Sequence, residues 1–180
     1  MKTSPPERII ITGEKQSGKS TLAEKLARYL IQKNFKVSGI IALGHWKDNQ
    51  RSKFDLLDLN TQRTCPLAER IKTPDREKIT GFNFFKSGLA AGKAALAPNN
   101  CQNSDFIFID EIGKFEINGH GWSALLSPVL NVNRTVHIWV VRQSFIKEVC
   151  RLWKVENTQI VSTDSENAFS RLKHICSKEK

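Results

Sequence analysis

Apolar residues along this chain fall into two kinds of run that take turns. Short continuous stretches, RIIITG (8–13), KVSGIIAL (36–43), SDFIFID (104–110), RTVHIWVV (134–141) and TQIVST (158–163), read as strands buried on both faces. Between them the apolar residues recur at helical spacing, as with Leu22, Leu26, Tyr29 and Leu30 in the segment 20–34. Further helices are expected over 87–99, alanine-rich and stopped by Pro98, over 121–131 with a proline inside, and over 144–153. A last helix, 165–179, takes Asp164 as its N-cap.

One region breaks the alternation. GHWKDNQRS (44–52) is polar enough for a turn or exposed loop. KFDLLDLNTQRTCPLAER (53–70) then offers Phe54, Leu56 and either Leu57 or Leu59 as a short strand, with Asn60, Thr61 and Gln62 as a hairpin-like turn. Residues 71–81 mix charge, Pro and Gly, the mark of an exposed connection. The pattern predicts an α/β fold with a largely parallel sheet and a hairpin-like insert near 45–70. At 180 residues it fits a single domain, 1–180, with a core large enough to need no disulfide or metal staple.

The first strand leads into chemistry. Gly13-Glu14-Lys15-Gln16-Ser17-Gly18-Lys19-Ser20 matches G-x-x-x-x-G-K-[ST], after a strand and before a helix. Such a loop wraps a nucleoside triphosphate with backbone N–H groups, and the helix N-terminus adds a favourable dipole. Lys19 would bridge the β- and γ-phosphates and Ser20 would hold Mg²⁺, while Thr21 starts the helix. Lys15 points either to phosphate or to solvent.

A second strand must then bring an acid to the metal, and FIFID supplies Asp110. Successive strand residues face opposite ways, so Glu111 is directed over the nucleotide, where an attacking water would sit. Lys114 touches phosphate, pairs with Glu111 or Glu116, or is plain surface. Glu116 is expected to cap or pair at a turn.

Composition narrows the setting. The net charge is +10 and favours anionic ligands, which makes nucleic acid a candidate partner; the plainer reading is a basic surface around a phosphate site. Cys65, Cys101, Cys150 and Cys176 are widely spaced, as are the four histidines, without the pairing of a zinc site. No apolar run of about 18 residues is available to span a bilayer. The N-terminal stretch lacks a signal peptide's core and cleavage pattern, so a cytoplasmic protein is expected. The oligomeric state is open.

With DEIGKFE (110–116) beside this phosphate loop, the chain resembles the small P-loop nucleoside-triphosphatases of the cancer-related type, whose second motif runs Asp-Glu-Ile-Gly-Lys-Met-Glu. The likeness extends over SGII, the insert from Lys53 to Leu59 with Pro66-Leu67-Ala68, and GFNFFKSGLAAGKAAL, an aromatic strand before a helix. It implies a RecA-like three-layer sandwich and Mg²⁺-dependent hydrolysis of nucleoside triphosphates, ATP and GTP among them, to diphosphate and phosphate with broad base choice. Three departures stand out: Glu14-Lys15-Gln16 where the family loop is Pro-Gly rich, Phe115 for Met, and Arg142-Gln143 where the family carries His-Arg. Arg142 keeps the cation, and the resemblance implies a γ-phosphate sensor there.

Two other functions compete. A nucleoside or polynucleotide kinase would set Glu111 against an acceptor hydroxyl and needs a closing lid, for which 63–78, with Arg63, Arg70 and Arg76, is the candidate. A slow nucleotide-dependent switch would act through a partner. Trp46 and Trp122 form either a stacking surface for it or edges of the core.

Overall fold

Ile9, Ile10 and Ile11 are all fully buried because their strand lies inside a sheet covered on both faces. The computed structural model describes residues 8–72 and 79–177. Five strands form the parallel part: β1 (Arg8–Thr12), β2 (Val37–Lys47), β6 (Phe106–Ile112), β7 (Val136–Val141) and β8 (Thr158–Ser162). β3 (Gln50–Asp58), β4 (Arg63–Arg70) and β5 (Phe82–Phe84) extend one edge antiparallel. The order across the sheet is β5-β4-β3-β2-β6-β7-β1-β8.

Helices α1 (Lys19–Gln32) and α7 (Ala168–Ser177) cover the face to which Ile9 and Ile11 point. The opposite face, with Ile10, is covered by α2 (Lys86–Ala95), α3 (Pro98–Cys101), α5 (Ser123–Leu130) and α6 (Ile146–Trp153). A short α4 (Lys114–Ile117) follows β6 directly. Two dry cores therefore sandwich one sheet, the three-layer arrangement expected of the alternating pattern.

Several expectations need correction. The polar stretch 44–52 is not a loop: β2 and β3 run through it and meet at a two-residue turn. Asp48 and Asn49, with φ of 50° and 57°, form that turn, and positive φ at both central residues matches the twist of the flanking strands. Pro98 does not stop the helix before it; α2 ends at Ala95, and Pro98 opens α3, where its missing N–H costs nothing. Asp164 caps no helix, because α7 begins only at Ala168 and the Asp164 carboxylate instead accepts from Ser162 Oγ at 3.2 Å. The first half of the candidate lid 63–78 is strand β4, and Asp75, Arg76 and Glu77 lie outside the described residues. Trp122 is core, 3% exposed, whereas Trp46 beside the hairpin turn is 51% exposed.

The aromatic strand before α2 is β5, and Phe54 stacks edge-on to its Phe82 at 4.9 Å. Among the described residues no helix is long and apolar enough to cross a membrane.

His137 in β7 is 1% exposed, and burial pushes its imidazole down from 6.5 to about 4. The unfolded chain binds this proton at higher pH than the fold does, so acidification favours unfolding. Urea unfolding should show His137→Phe gaining stability relative to wild type as pH drops from about 6.5 to about 4.

Candidate functional site

The phosphate loop takes its shape from backbone that few residues tolerate. Gly13 at φ +152° leaves β1, Gln16 stands at φ 66°, and Gly18 at φ +83° caps α1. A Cβ on Gly13 would collide with the hydroxyls of Thr163 and Ser17, which hydrogen-bond each other at 2.8 Å. Neighbouring strand ends brace the loop: Gln143 N–H donates to the Gly13 carbonyl at 3.3 Å and Thr163 N–H to the Thr12 carbonyl at 2.8 Å. No acid occupies the first turn of α1, so the positive end of the helix faces the loop uncompensated. Thr163 was invisible to sequence reading, since its partner lies 146 residues away.

Lys19 opens α1 and its Nζ donates to the Glu14 carbonyl across the loop. Partial burial lowers its ammonium pKa, opposed by the charge of Glu111 and lowered further by Arg142. Lys15 and Gln16 line the same cleft, while Glu14 and Thr21 are exposed.

β6 delivers the acids, and its end is not a plain strand. Ile109 pairs with Trp139 but Ile112 pairs with Val141, so Asp110 and Glu111 together oppose the single residue Val140. This is a bulge, and Glu111 occupies it in the left-handed region at φ 60°. The conformation costs on the order of 1–3 kcal/mol for a non-glycine residue, a strain that tends to collect at functional sites. Asp110 stays 1% exposed, its Oδ2 accepting from Ala42 N–H at 3.0 Å and its Oδ1 from Glu111 N–H at 2.7 Å. The Ser20 hydroxyl lies on the same side and favours the charged form of this carboxyl. Glu111 turns the other way, into the cleft.

Burial raises the pKa of Asp110, and the charge of Glu111 raises it further. Glu111 lines the cleft and, although the residue is exposed, desolvation there pushes its carboxyl up. Arg51, then Lys19, then Arg142 oppose that shift. Sequence reading missed Arg51, which β3 carries in from the hairpin extension; the Asp48-Asn49 dipeptide was the signal that a hairpin lay there. Arg142, just past β7, lies against the Phe145 ring at 5.5 Å and lines the cleft.

The cleft has a volume of about 350 Å³. Beyond the acids its wall is aromatic, with Phe54, Phe82, Phe84 and Phe115. Phe115 stacks on Phe84 at 4.5 Å and 8° between planes, clamping α4 to β5. Lys114 faces the cleft but forms no ion pair within 4.0 Å among the described residues. Glu116 is 3% exposed, and its Oε2 accepts from Gly113 N–H at 3.0 Å, the half of a capping box that a glycine N-cap allows at the start of α4. It is thus the turn acid expected. Burial pushes its carboxyl up from 4.5 to about 8.

Ser20 and Asp110 together present hard oxygen donors. Among the described residues no group of three or more His, Cys, Asp or Glu side chains is placed to hold a metal ion. The Asp110 carboxylate, buried with no cation within 4.0 Å among the described residues, is suited to a divalent ion that takes its remaining ligands from phosphate and water.

Residues 8–176 match the model of a family described as NTPase. The nucleoside-triphosphatase THEP1 of Methanosarcina barkeri is 29% identical over 163 residues, covering 90% of this chain and 92% of the relative. That of Methanocaldococcus jannaschii is 30% identical over 131 residues, 71% of this chain and 74% of its own. Two solved structures share the fold at 18% identity. The solution structure of a human cancer-related nucleoside triphosphatase superposes with TM-score 0.71 over 96% of each chain. The crystal structure of THEP1 from the hyperthermophile Aquifex aeolicus gives 0.70 over 96% of this chain and 99% of its own.

Because Glu116 is more acidic in the unfolded chain than in the fold, the unfolded state releases its proton first as pH rises. The contribution of Glu116 to stability should therefore decline between pH about 4.5 and about 8, opposite in sign to that of His137 where the two ranges overlap, so denaturant midpoints of Glu116→Gln should gain on those of wild type across that range. A constant difference between the two would show that the carboxyl is not held protonated.

Proposed function

The chain belongs to this NTPase family, and from that membership we propose that it hydrolyses nucleoside 5′-triphosphates to diphosphate and phosphate, with Mg²⁺ and little selectivity for the base. The observation that carries the proposal is the bulge at the end of β6, which keeps Asp110 buried beside Ser20 and aims Glu111 into the cleft that Lys19 shares.

The loop from Gly13 to Thr21 receives the triphosphate, its N–H groups and the α1 dipole countering phosphate charge. Lys19 exchanges the Glu14 carbonyl for phosphate oxygens, a favourable trade because a carbonyl is a weaker partner for an ammonium than an anion. Ser20 and Asp110 would hold Mg²⁺, which supplies neutralisation of charge on the phosphate oxygens when bound. Glu111 orients the attacking water and accepts its proton, a role suited to a carboxyl whose pKa is raised. Arg142 acts on the γ-phosphate side. Phosphoryl transfer asks mainly for positioning and charge neutralisation, and every group named here meets phosphate or water. Broad base choice follows, since none of them touches the base. The four free cysteines suit a reducing compartment, and we assign the protein to the cytoplasm on that ground.

One observation favours a second reading, transfer to an acceptor hydroxyl. A cleft of about 350 Å³ with five phenylalanines on its wall exceeds what one water needs, about 10–15 Å³ on the same measure. The readings part in one assay. Purified protein with Mg²⁺ and ATP, GTP, CTP or UTP, and no other solute, should release phosphate from all four at rates within about tenfold of one another, and EDTA should stop it. Consumption of triphosphate only after a nucleoside or an oligonucleotide is added, with the phosphoryl group recovered on the acceptor and no free phosphate released, would favour the acceptor reading.

A further inference from the structure

Among the cations that line the cleft, Arg51 is the one the β2–β3 hairpin brings in, and the proposed hydrolysis gives it no task. Arg51 belongs to β3, two strands away from β6, yet it lines the same cleft as Glu111 and Lys19. It has no carboxylate within 4.0 Å among the described residues, and its Nε is buried without a hydrogen-bond partner. A buried, unpaired donor on a guanidinium is costly to the fold unless something else calls for it.

The hairpin is built to hold that guanidinium still. It lies 5.1 Å from the Trp46 ring and 5.0 Å from the Phe54 ring, between two aromatic faces. On β2 the residue under it is Gly44, where a Cβ would collide with the guanidinium carbon. Arg70 anchors the backbone behind it, Nε donating to the Arg51 carbonyl at 2.7 Å. The β2–β3 register slips between His45 and Trp46, and a bulge at such a point re-aims the side chains beside it. Trp46 is the residue that pairs with Arg51. Together these features fix one arginine, with donors to spare, at the rim of the cleft that contains Lys19 and Glu111.

We propose that Arg51, presented by the β2–β3 hairpin, is a catalytic arginine that contacts the γ-phosphoryl group and neutralises its charge as it transfers. It approaches from the side opposite Arg142: Glu111 on β6 has the β7 end on one hand and the hairpin on the other. An arginine supplied within the same chain raises turnover without a partner protein, and such residues are worth about 10³-fold or more. The aromatic sandwich and Gly44 are then its supporting shell, which removes the need to reorganise at the moment of reaction.

The inference rests on the hydrolytic reading, and wild-type protein serves as the control that separates the two. If wild type releases no phosphate, that reading fails and not merely the role of Arg51. With wild type active, nucleoside diphosphate affinity is measured with and without aluminium fluoride, which stands in for the transferring phosphoryl group, alongside kcat and KM. Arg51→Ala and Arg51→Lys should bind diphosphate as wild type does, lose the tightening that fluoride gives, and fall about 10³-fold in kcat with KM little changed. Guanidinium ion should restore part of the Arg51→Ala rate. Arg51→Lys keeps the stem and the charge, so it decides the matter even if the hairpin collapses in Arg51→Ala. Fluoride tightening intact in Arg51→Lys, or kcat within about threefold of wild type, would overturn the assignment.

Discussion

The site depends on a buried carboxylate at the end of the central strand. Asp110 is held by two backbone N–H groups, from Ala42 on the neighbouring strand and from Glu111 next to it, with the Ser20 hydroxyl of the phosphate loop close by. The same carboxyl is therefore where β2, β6 and the start of α1 converge. A charge in that position is expensive without a counter-ion, which explains both its raised pKa and its fitness for a divalent cation. The bond from Glu111 N–H accompanies the left-handed turn of the backbone, and that turn separates the two acids. One residue stays in the core and its neighbour enters the cleft.

Charge in the cleft is arranged around Glu111. Lys19 comes from the loop, Arg142 from the end of β7 and Arg51 from the antiparallel extension, so cations reach the acid from three elements. The extension thus does more than lengthen the sheet: β3 carries an arginine, and β5 with α4 supplies the stacked Phe84 and Phe115 that close the far wall. A methionine at position 115 would leave Phe84 without that stacked partner.

Much of this was legible in the sequence, and the reasons differ by element. Continuous apolar runs at 8–13, 104–110 and 134–141 announced parallel strands because burial on both faces leaves no polar positions. The loop from Gly13 to Ser20 was legible because its glycines and lysine each answer a local need. The β3–β4 hairpin was legible at its Asn60–Gln62 turn, but the β2–β3 hairpin was not, since Trp46 and Arg51 sit among polar residues, with the Arg51 guanidinium packed on Trp46 and Phe54. Hydrophobic periodicity has nothing to report there, and only Asp48-Asn49 betrays the turn. The opposite facing of Asp110 and Glu111 was expected from strand alternation, yet its cause is a bulge. Thr163 and Arg51 reach the site through tertiary contact alone, and pattern reading has no access to that. Asp164 shows the converse error, a good capping residue whose helix starts too late to use it.

The division of labour between the two acids is the claim on which the account stands. Its most direct test compares Asp110→Asn and Glu111→Gln in a single-turnover experiment, with triphosphate affinity titrated against Mg²⁺. The account predicts that Glu111→Gln binds Mg²⁺-triphosphate as wild type does but cleaves it at least about 100-fold more slowly. Asp110→Asn should instead lose most of the gain in affinity that Mg²⁺ confers. Wild-type cleavage by Glu111→Gln, or an undiminished Mg²⁺ effect in Asp110→Asn, would contradict it.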